Sequence, residues 1–388
     1  MPWKEKNVME LKEEFVIRAL SREVSMIDLC REYGISAKTG YKWINRFKEK
    51  GFGGLVDLPR RPKSCSTEIG EDIICEMVRL KRAHRKWGPR KIRELYARNY
   101  PSYPLPSVSS FHRILEKCGY INHRKRRKKR PGGRVQNRFK PKNPNDLWTV
   151  DFKGWWYTTE KQRCEPLTIR DEYSRFILAI SVLENAGTKC VQEEFDKIFH
   201  IHGLPKVIRS DNGTPFASGS APLGLSKLSA WWITLGIELD RINPGHPEEN
   251  GAHERLHKDI RMELEGHICG DLFKHQAAFD LWRKEFNWER PHESLDMKTP
   301  GEVYKKSDQK YDREPEEIEY GPGFIVRKVG KYGSIKIMNR SIRITTSLSG
   351  YNVGLKFRND GGYEVWFDYL CLGTIDVKME KFQTVRGG

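Results

Sequence analysis

No apolar run in this 388-residue chain approaches the roughly 20 residues that a membrane-spanning helix requires. Its start, MPWKEKNVMELKEEF, also lacks the apolar core of a secretory signal, so a cytoplasmic protein is expected. Cysteine is sparse, with eight residues and no C-x-x-C pair, which argues against a disulfide framework and a structural zinc site. Each cysteine is read as sitting among apolar neighbours, as in IIC and EKCGY, and this predicts buried, reduced thiols. Acidic residues are in deficit: 52 Asp and Glu stand against 70 Lys and Arg, for a formal net charge of +18. A positive field of that size attracts polyanions, which makes nucleic acid the leading partner class.

What is present is arranged in blocks, and at about 100 to 200 residues per domain the chain is expected to hold roughly two to four. Residues 1–58 read as three helices. VMELKEEFVIRAL has Val8, Leu11, Phe15 and Ala19 at helical spacing; SMIDLCREYG and SAKTGYKWINRFKEKG are each opened by a serine cap and closed by glycine. The second and third of these form a helix-turn-helix candidate, with Tyr41, Ile44 and Phe47 inward and Lys38, Thr39, Lys42 and Arg46 free to meet double-stranded DNA. A second helical set, 64–122, ends in SVSSFHRILEKCGY. There Val108, Phe111 and Ile114 or Leu115 face inward, and Ser109, His112 and Arg113 outward. Residues 123–142 form a basic linker without a single acidic residue, in which Arg124, Lys125, Arg126, Arg127, Lys128, Lys129 and Arg130 are candidate phosphate contacts.

From Asn143 the pattern changes. LWTVDFKGWWY and EPLTIRDEYSRFILAISVL read as strands, followed by helices alternating with KVIRSDNG and IELDRI, an α/β layer pattern spanning 143–305. Residues 318–388 return to alternating runs split by Asn-Arg and Asp-Gly-Gly turns and predict a small β-barrel of about five strands, kept basic by residues such as Lys336, Arg340 and Lys356. The fold class is therefore multi-domain: helix-turn-helix modules, an α/β core and a C-terminal barrel.

Three acids stand where chemistry is usually placed. Asp151 lies inside an apolar strand, where an unpaired carboxylate is costly. Asp211 follows a buried strand, beside Gly213, and Glu254 lies early in a helix. Carboxylates gathered at strand ends repel one another unless divalent cations intervene. Two metals about 3.5 to 4 Å apart can activate a water or 3′-hydroxyl and stabilise the leaving oxygen of a phosphodiester displacement. Two Mg²⁺ ions fit an all-oxygen ligand set, with Mn²⁺ able to substitute.

The segments LWTVDFKG, DEYSRFILA, GLPKVIRSDNGTPF, NPGHPEENGAHERLHKDI and FNWERPHESLDMKTPGEVY occur in an order that resembles the catalytic core of retroviral-integrase-like DDE transposases of bacterial insertion sequences. The resemblance implies an RNase H-like fold, with Asp151, Asp211 and Glu254 as catalytic metal ligands. It also implies an oligomer that cleaves at the terminal inverted repeats of a mobile element and transfers the 3′-hydroxyl ends into target DNA. Glu248 and Glu249 are rivals for the third acid, but the P-x-x-x-G-x-x-E-x-x-x-K pattern from Pro247 to Lys258 favours Glu254. Asn250, Lys258 and Arg261 are then placed to meet DNA. The spacing from Asp211 to Glu254 is longer than in many relatives, which ASGSAPLGLSKLSAWW explains as a loop insertion.

HERLH, 253–257, also fits the zinc signature H-E-x-x-H. That reading needs a buried helix and a third ligand; neither Ile260 nor Glu263 supplies the extended form, and the glutamate-ligand version stays open only through Glu285 or Glu289, beside the FNWERPHESL segment. His253 and His257 are instead expected to line a DNA channel or to hydrogen-bond locally. A DNA-binding regulator with a dead core would have lost at least one acid, and all three are present.

Overall fold

A computed structural model describes residues 7–58, 69–121, 139–243, 251–312, 317–377 and 379–385. The chain divides into two compact units, Met1–Ile69 and Gly70–Gly388.

In the first unit, α1 (Val8–Ser21), α2 (Met26–Glu32) and α3 (Ala37–Lys50) start at side-chain caps: Asn7 in a capping box, Ser25 and Ser36. Their core is Phe15, Val16, Leu29, Cys30, Trp43, Ile44 and Leu55. Gly40 lets α2 and α3 approach closely, since a Cβ there would lie 2.6 Å from Cys30 Sγ and 2.9 Å from Phe15 Cζ. One expectation fails here: Tyr41 is 54% exposed rather than inward. The larger Trp43, two residues beyond Tyr41, fills the core, and Val16 does so beside Phe15.

The second unit opens with α4 (Glu71–Ala83), α5 (Pro89–Asn99) and α6 (Val108–Lys117), gathered around Met77, Leu80, Trp87, Ile92, Tyr96 and Phe111. Val108 is exposed rather than inward.

A five-stranded sheet follows. Its strands are β1 (Leu147–Phe152), β4 (Pro166–Asp171), β5 (Ile177–Val182), β6 (Val207–Ser210) and β7 (Glu238–Arg241); a two-residue hairpin, β2 (Trp156–Tyr157) and β3 (Arg163–Cys164), lies aside. The order is β5-β4-β1-β6-β7, with β1, β4 and β5 an antiparallel meander and β6 and β7 parallel to β1. One face packs on α7 (Thr188–His202) and α8 (Lys227–Thr234) through Trp148, Phe195, Phe199 and Trp232. The other packs on α9 (Gly251–Glu263) and α10 (Leu272–Trp288) through Ile177, Ile180, Leu256, Ile260 and Phe279. This three-layer arrangement is the expected RNase H-like core.

Asn287 locks the α10 layer to the sheet edge. Its Oδ1 accepts from Ile177 N at 2.9 Å and its Nδ2 donates to Ile177 O at 2.9 Å, all buried. Asn287→Ala leaves both backbone groups without partners, so urea denaturation is expected to show a loss of about 1–3 kcal/mol. A change below a few tenths would show that water replaces the amide.

After the short α11 (Pro300–Val303) come β8 (Phe324–Lys328), β9 (Ser334–Ile337), β10 (Arg340–Arg343), β11 (Asn352–Phe357), β12 (Tyr363–Phe367), β13 (Leu370–Asp376) and β14 (Lys381–Thr384). They form an antiparallel sheet, β14-β13-β12-β11-β8, and a separate β9–β10 hairpin. Sheet and hairpin share one core, with Ile335, Ile337 and Ile342 against Leu355, Val365 and Phe367. The hairpin turn falls on Met338 and Asn339, both at positive φ, rather than on Asn-Arg.

No helix among the described residues is long and apolar enough to cross a membrane. Cysteines 75, 118 and 269 are exposed, contrary to expectation, while Cys30 and Cys164 are buried. An exposed helix position tolerates cysteine beside an apolar run, so neighbours alone misjudge its burial.

Candidate catalytic site

The parallel pairing of β1 with β6 sets Thr149 opposite Arg209. Asp151 lies two residues past Thr149, and Asp211 two residues past Arg209. Adjacent strands are about 4.8 Å apart. Both acids therefore follow the paired stretch toward the carboxyl ends of neighbouring parallel strands, where the crevice of an open α/β sheet usually lies.

Each neighbouring loop has a reason to be as it is. Gly213 N donates to Asp211 Oδ1 at 3.1 Å, and a Cβ on Gly213 would sit 3.0 Å from Oδ2, so glycine keeps that carboxylate clear. Asn212 Nδ2 donates to Ile242 O at 2.6 Å and ties the turn to the end of β7.

On its other side Asp151 pairs with Thr168 of β4. The Thr168 hydroxyl donates to Asp151 O at 2.9 Å and lies 3.2 Å from His253 Nδ1 and 2.9 Å from His257 Nε2. One turn apart on α9, the two histidines share a buried face, while Glu254 beside them is exposed. Among the described residues, the group that could hold a metal is Asp151, His253 and His257, whose donor atoms lie within 4.8 Å of one another. The carboxylates of Asp211 and Glu254 do not join that group.

Burial, with Lys153 and Arg170 nearby, pushes the His257 imidazole down to about 4. His253 is held well below its usual range by burial and by repulsion from His257 and Arg170, only partly offset by the Thr149 backbone. Both rings are therefore neutral near pH 7. Lys153 pairs with Glu265 at 2.6 Å and stacks 4.3 Å over Trp156.

The other sequence candidates divide by location. Lys258 and Arg261 are exposed on α9, with Arg261 3.6 Å from Glu265. Lys38 is exposed; the Thr39 backbone and hydroxyl engage the Ser36 cap; Lys42 and Arg46 lie 5.0 and 5.2 Å over the Trp43 ring. On α6, Ser109 and Arg113 are exposed and His112 is half-buried, 3.7 Å from Glu116. Asn250 and residues 124–130 lie outside the described residues, as do Pro247, Glu248 and Glu249.

Sequence reasoning missed three features. Thr168 joins three polar groups, although nothing in PLTIRD marks it. The second helical set docks on the core: Arg90 meets Glu293 at 3.0 Å, His84 meets Glu285 at 3.0 Å and Arg98 Nη2 donates to Met297 O at 2.9 Å. A cavity of about 500 Å³, lined by Lys91, Arg170, Arg175 and Arg255, opens where α5 and the start of α9 meet. Burial there, with Arg290 close by, pushes the Lys91 ammonium down to about 8. The surplus of basic residues in PRKIREL signalled a charged face but not its partner.

Comparison with known proteins converges on the same segments. Residues 11–63 match a helix-turn-helix domain model, 39–115 a homeodomain-like domain, and 141–247 and 235–300 two integrase core domain models. The insertion element IS476 uncharacterized 39.2 kDa protein of Xanthomonas euvesicatoria is 27% identical over 237 residues, 61% of this chain and 65% of that protein. The insertion element IS407 uncharacterized 31.7 kDa protein of Burkholderia multivorans is 26% identical over 239 residues, 61% of this chain and 82% of that protein. The match thus spans just under two thirds of the first relative's length. Among solved structures, the HTLV-2 integrase catalytic core in complex with magnesium superposes with a TM-score of 0.32 at 15% identity, over 43% of this chain and 100% of that one. Integrase core models thus cover residues 141–300 and helix-turn-helix models precede them, so the chain carries an integrase core domain behind helix-turn-helix domains and is similar to bacterial insertion-element proteins.

Proposed function

We propose that this protein binds the terminal inverted repeats of a mobile element, cleaves phosphodiester bonds at its ends and transfers the resulting 3′-hydroxyls into target DNA. The observation that carries this reading is the parallel β1–β6 pairing, whose last partners, Thr149 and Arg209, each lie two residues before an acid, Asp151 and Asp211, while α9 bears Glu254.

Asp151, Asp211 and Glu254 would hold two Mg²⁺ ions, or Mn²⁺ in their place. When bound, such ions activate the attacking hydroxyl and stabilise the leaving oxygen. The chain's own residues position the reaction. Thr168 fixes the Asp151 backbone, Gly213 keeps the Asp211 carboxylate accessible, and Lys258 and Arg261, exposed on the face of α9 that carries Glu254, hold DNA phosphates. The basic cavity beside Gly251 extends that track toward α5.

Modules 1–58 and 64–122 read the repeat, with α3 and α6 as the recognition helices through Lys38, Lys42, Arg46, Ser109 and Arg113; Asn250 and the linker 123–142 follow the backbone. The core is 143–305. In 318–388 the hairpin completes a small barrel, an accessory DNA or subunit contact. Joining two ends to one target calls for a homo-oligomer, working in the bacterial cytoplasm on nucleoid DNA.

The test is to incubate the full chain with Mg²⁺, DNA carrying the inverted repeats that flank its gene, and a target plasmid. Repeat-specific 3′-end cleavage and joined products are expected. Absence of both with Mg²⁺ and with Mn²⁺, while the repeats are bound, overturns the reading.

A further inference from the structure

We propose that Asp151, His253 and His257 form a mixed nitrogen and oxygen site for a borderline divalent cation of the Zn²⁺ class, sharing the Asp151 carboxylate with the proposed magnesium centre. The two histidines lie one turn apart on α9 with their rings 5.4 Å apart, and Asp151 reaches them from β1. Their donor atoms lie within 4.8 Å of one another. A four-coordinate zinc with bonds near 2.0 to 2.1 Å needs ligand atoms about 3.4 Å apart, so small side-chain rotations close the site. A buried helix and a third ligand are what the HERLH pattern lacked as read from sequence.

Thr168 supplies the second argument. A hydroxyl has one hydrogen, and here it goes to Asp151 O. Each imidazole nitrogen facing Thr168 therefore donates to it, and the other nitrogen of each neutral ring keeps its lone pair. For His253 that nitrogen is Nε2, which is buried and has no hydrogen-bond partner among the described residues. A histidine that donates from one nitrogen while the other faces a metal is the usual arrangement at protein metal sites. Neutral imidazoles favour zinc and its neighbours over magnesium, which prefers oxygen and keeps its waters. Nearby cations oppose an ion only partly, because Lys153 is paired with Glu265 at 2.6 Å and Arg170 with Glu172 at 3.0 Å.

The site stands on its own geometry, whereas its effect on DNA joining rests on the proposed function: zinc and magnesium compete for Asp151, so zinc inhibits joining. The experiment titrates the metal-free full chain with Co²⁺, reading the visible ligand-field bands that nitrogen ligation produces, and then displaces Co²⁺ with Zn²⁺. One equivalent is expected to bind with nitrogen-type bands. His257→Asn should weaken Zn²⁺ by more than about 100-fold, since losing even an outer partner costs about 10- to 100-fold, the loss expected of Thr168→Val. Circular dichroism checks folding, and His257→Asp, which keeps a ligand, should restore binding while shifting the bands. Glu254→Gln should leave Zn²⁺ binding unchanged although it abolishes joining, so failure of the zinc site and failure of the transposase reading are told apart. Water-like Co²⁺ spectra, or Zn²⁺ affinity unchanged in folded His257→Asn, would overturn the site.

Discussion

Asp211→Asn is expected to reduce both 3′-end cleavage and strand transfer by about 10³-fold or more while leaving repeat binding and folding intact. A bound divalent ion stabilises transition-state charge by several kcal/mol, and each 1.36 kcal/mol is tenfold in rate. The substitution removes one negative charge and little else. The hydrogen bond from Gly213 N to Oδ1 survives, because asparagine retains that oxygen, and the Asn212 tie to Ile242 is untouched. The phosphate contacts proposed for Lys258, Arg261 and the helical modules would be unaltered, so a gel shift on the terminal repeat should move by less than about threefold, as expected if affinity resides in backbone contacts. Joining at more than a tenth of the wild-type rate by a folded Asp211→Asn protein would remove Asp211 from the proposed chemistry. Glu254→Gln is the parallel test for the third acid, and it is the more demanding one because Glu254 is exposed and outside the metal-competent group.

The strand runs around Asp151 and Asp211, the helix around Glu254 and the change of pattern at Asn143 were all legible in the sequence. Local periodicity and capping decide such features, and they lie within a few residues of one another. The pairing of β1 with β6 was not, because nothing local shows that two strands some sixty residues apart in sequence become neighbours in the sheet. Thr168 shows the limit clearly. In PLTIRD it is one more β-branched strand residue, and only the packing of α9 against β4 reveals that its hydroxyl meets both histidines and Asp151. The histidines were set aside for want of a third ligand, which comes from a strand a hundred residues earlier. Tyr41 failed for a different reason: the helical wheel places it near the inner face of α3, but the larger Trp43 fills that space and draws Lys12, Lys42 and Arg46 around its ring. The docking of the second helical set on the core was invisible because it rests on single polar contacts, Arg90 with Glu293, His84 with Glu285 and Arg98 with the Met297 carbonyl, each indistinguishable from a solvated group when read alone.

Arg290, in the FNWERPHESL segment, is expected to matter as much for the stability of the catalytic layer as Asp211 does for its chemistry. Its side chain is 5% exposed, with Nη2 3.0 Å from Asp259 and Nη1 3.4 Å from Glu263, both on α9. The guanidinium also lies 5.3 Å over Phe286 and 6.0 Å over Trp87 of the docked helical set. Arg290→Ala strands two largely buried carboxylates one turn apart, and breaking a buried pair in this way costs about 3–5 kcal/mol. Arg255, 3.3 Å from Asp259 but 69% exposed, softens the loss only slightly, and Arg255→Ala itself should cost less than about 1 kcal/mol. Arg290→Met separates charge from packing, since it keeps an unbranched chain against Phe286 and Trp87 without the cation. If Met behaves like Ala, the ion pairs hold α9 in place; if Met restores most of the stability, packing does, and the electrostatic account fails. Native-state hydrogen exchange provides the local readout: amides of α9 should lose protection before those of α7, which packs on the opposite face of the sheet. Because α9 carries Glu254, Lys258 and Arg261, joining by Arg290→Ala should fall together with that protection, and recover in part at lower temperature as the helix reforms.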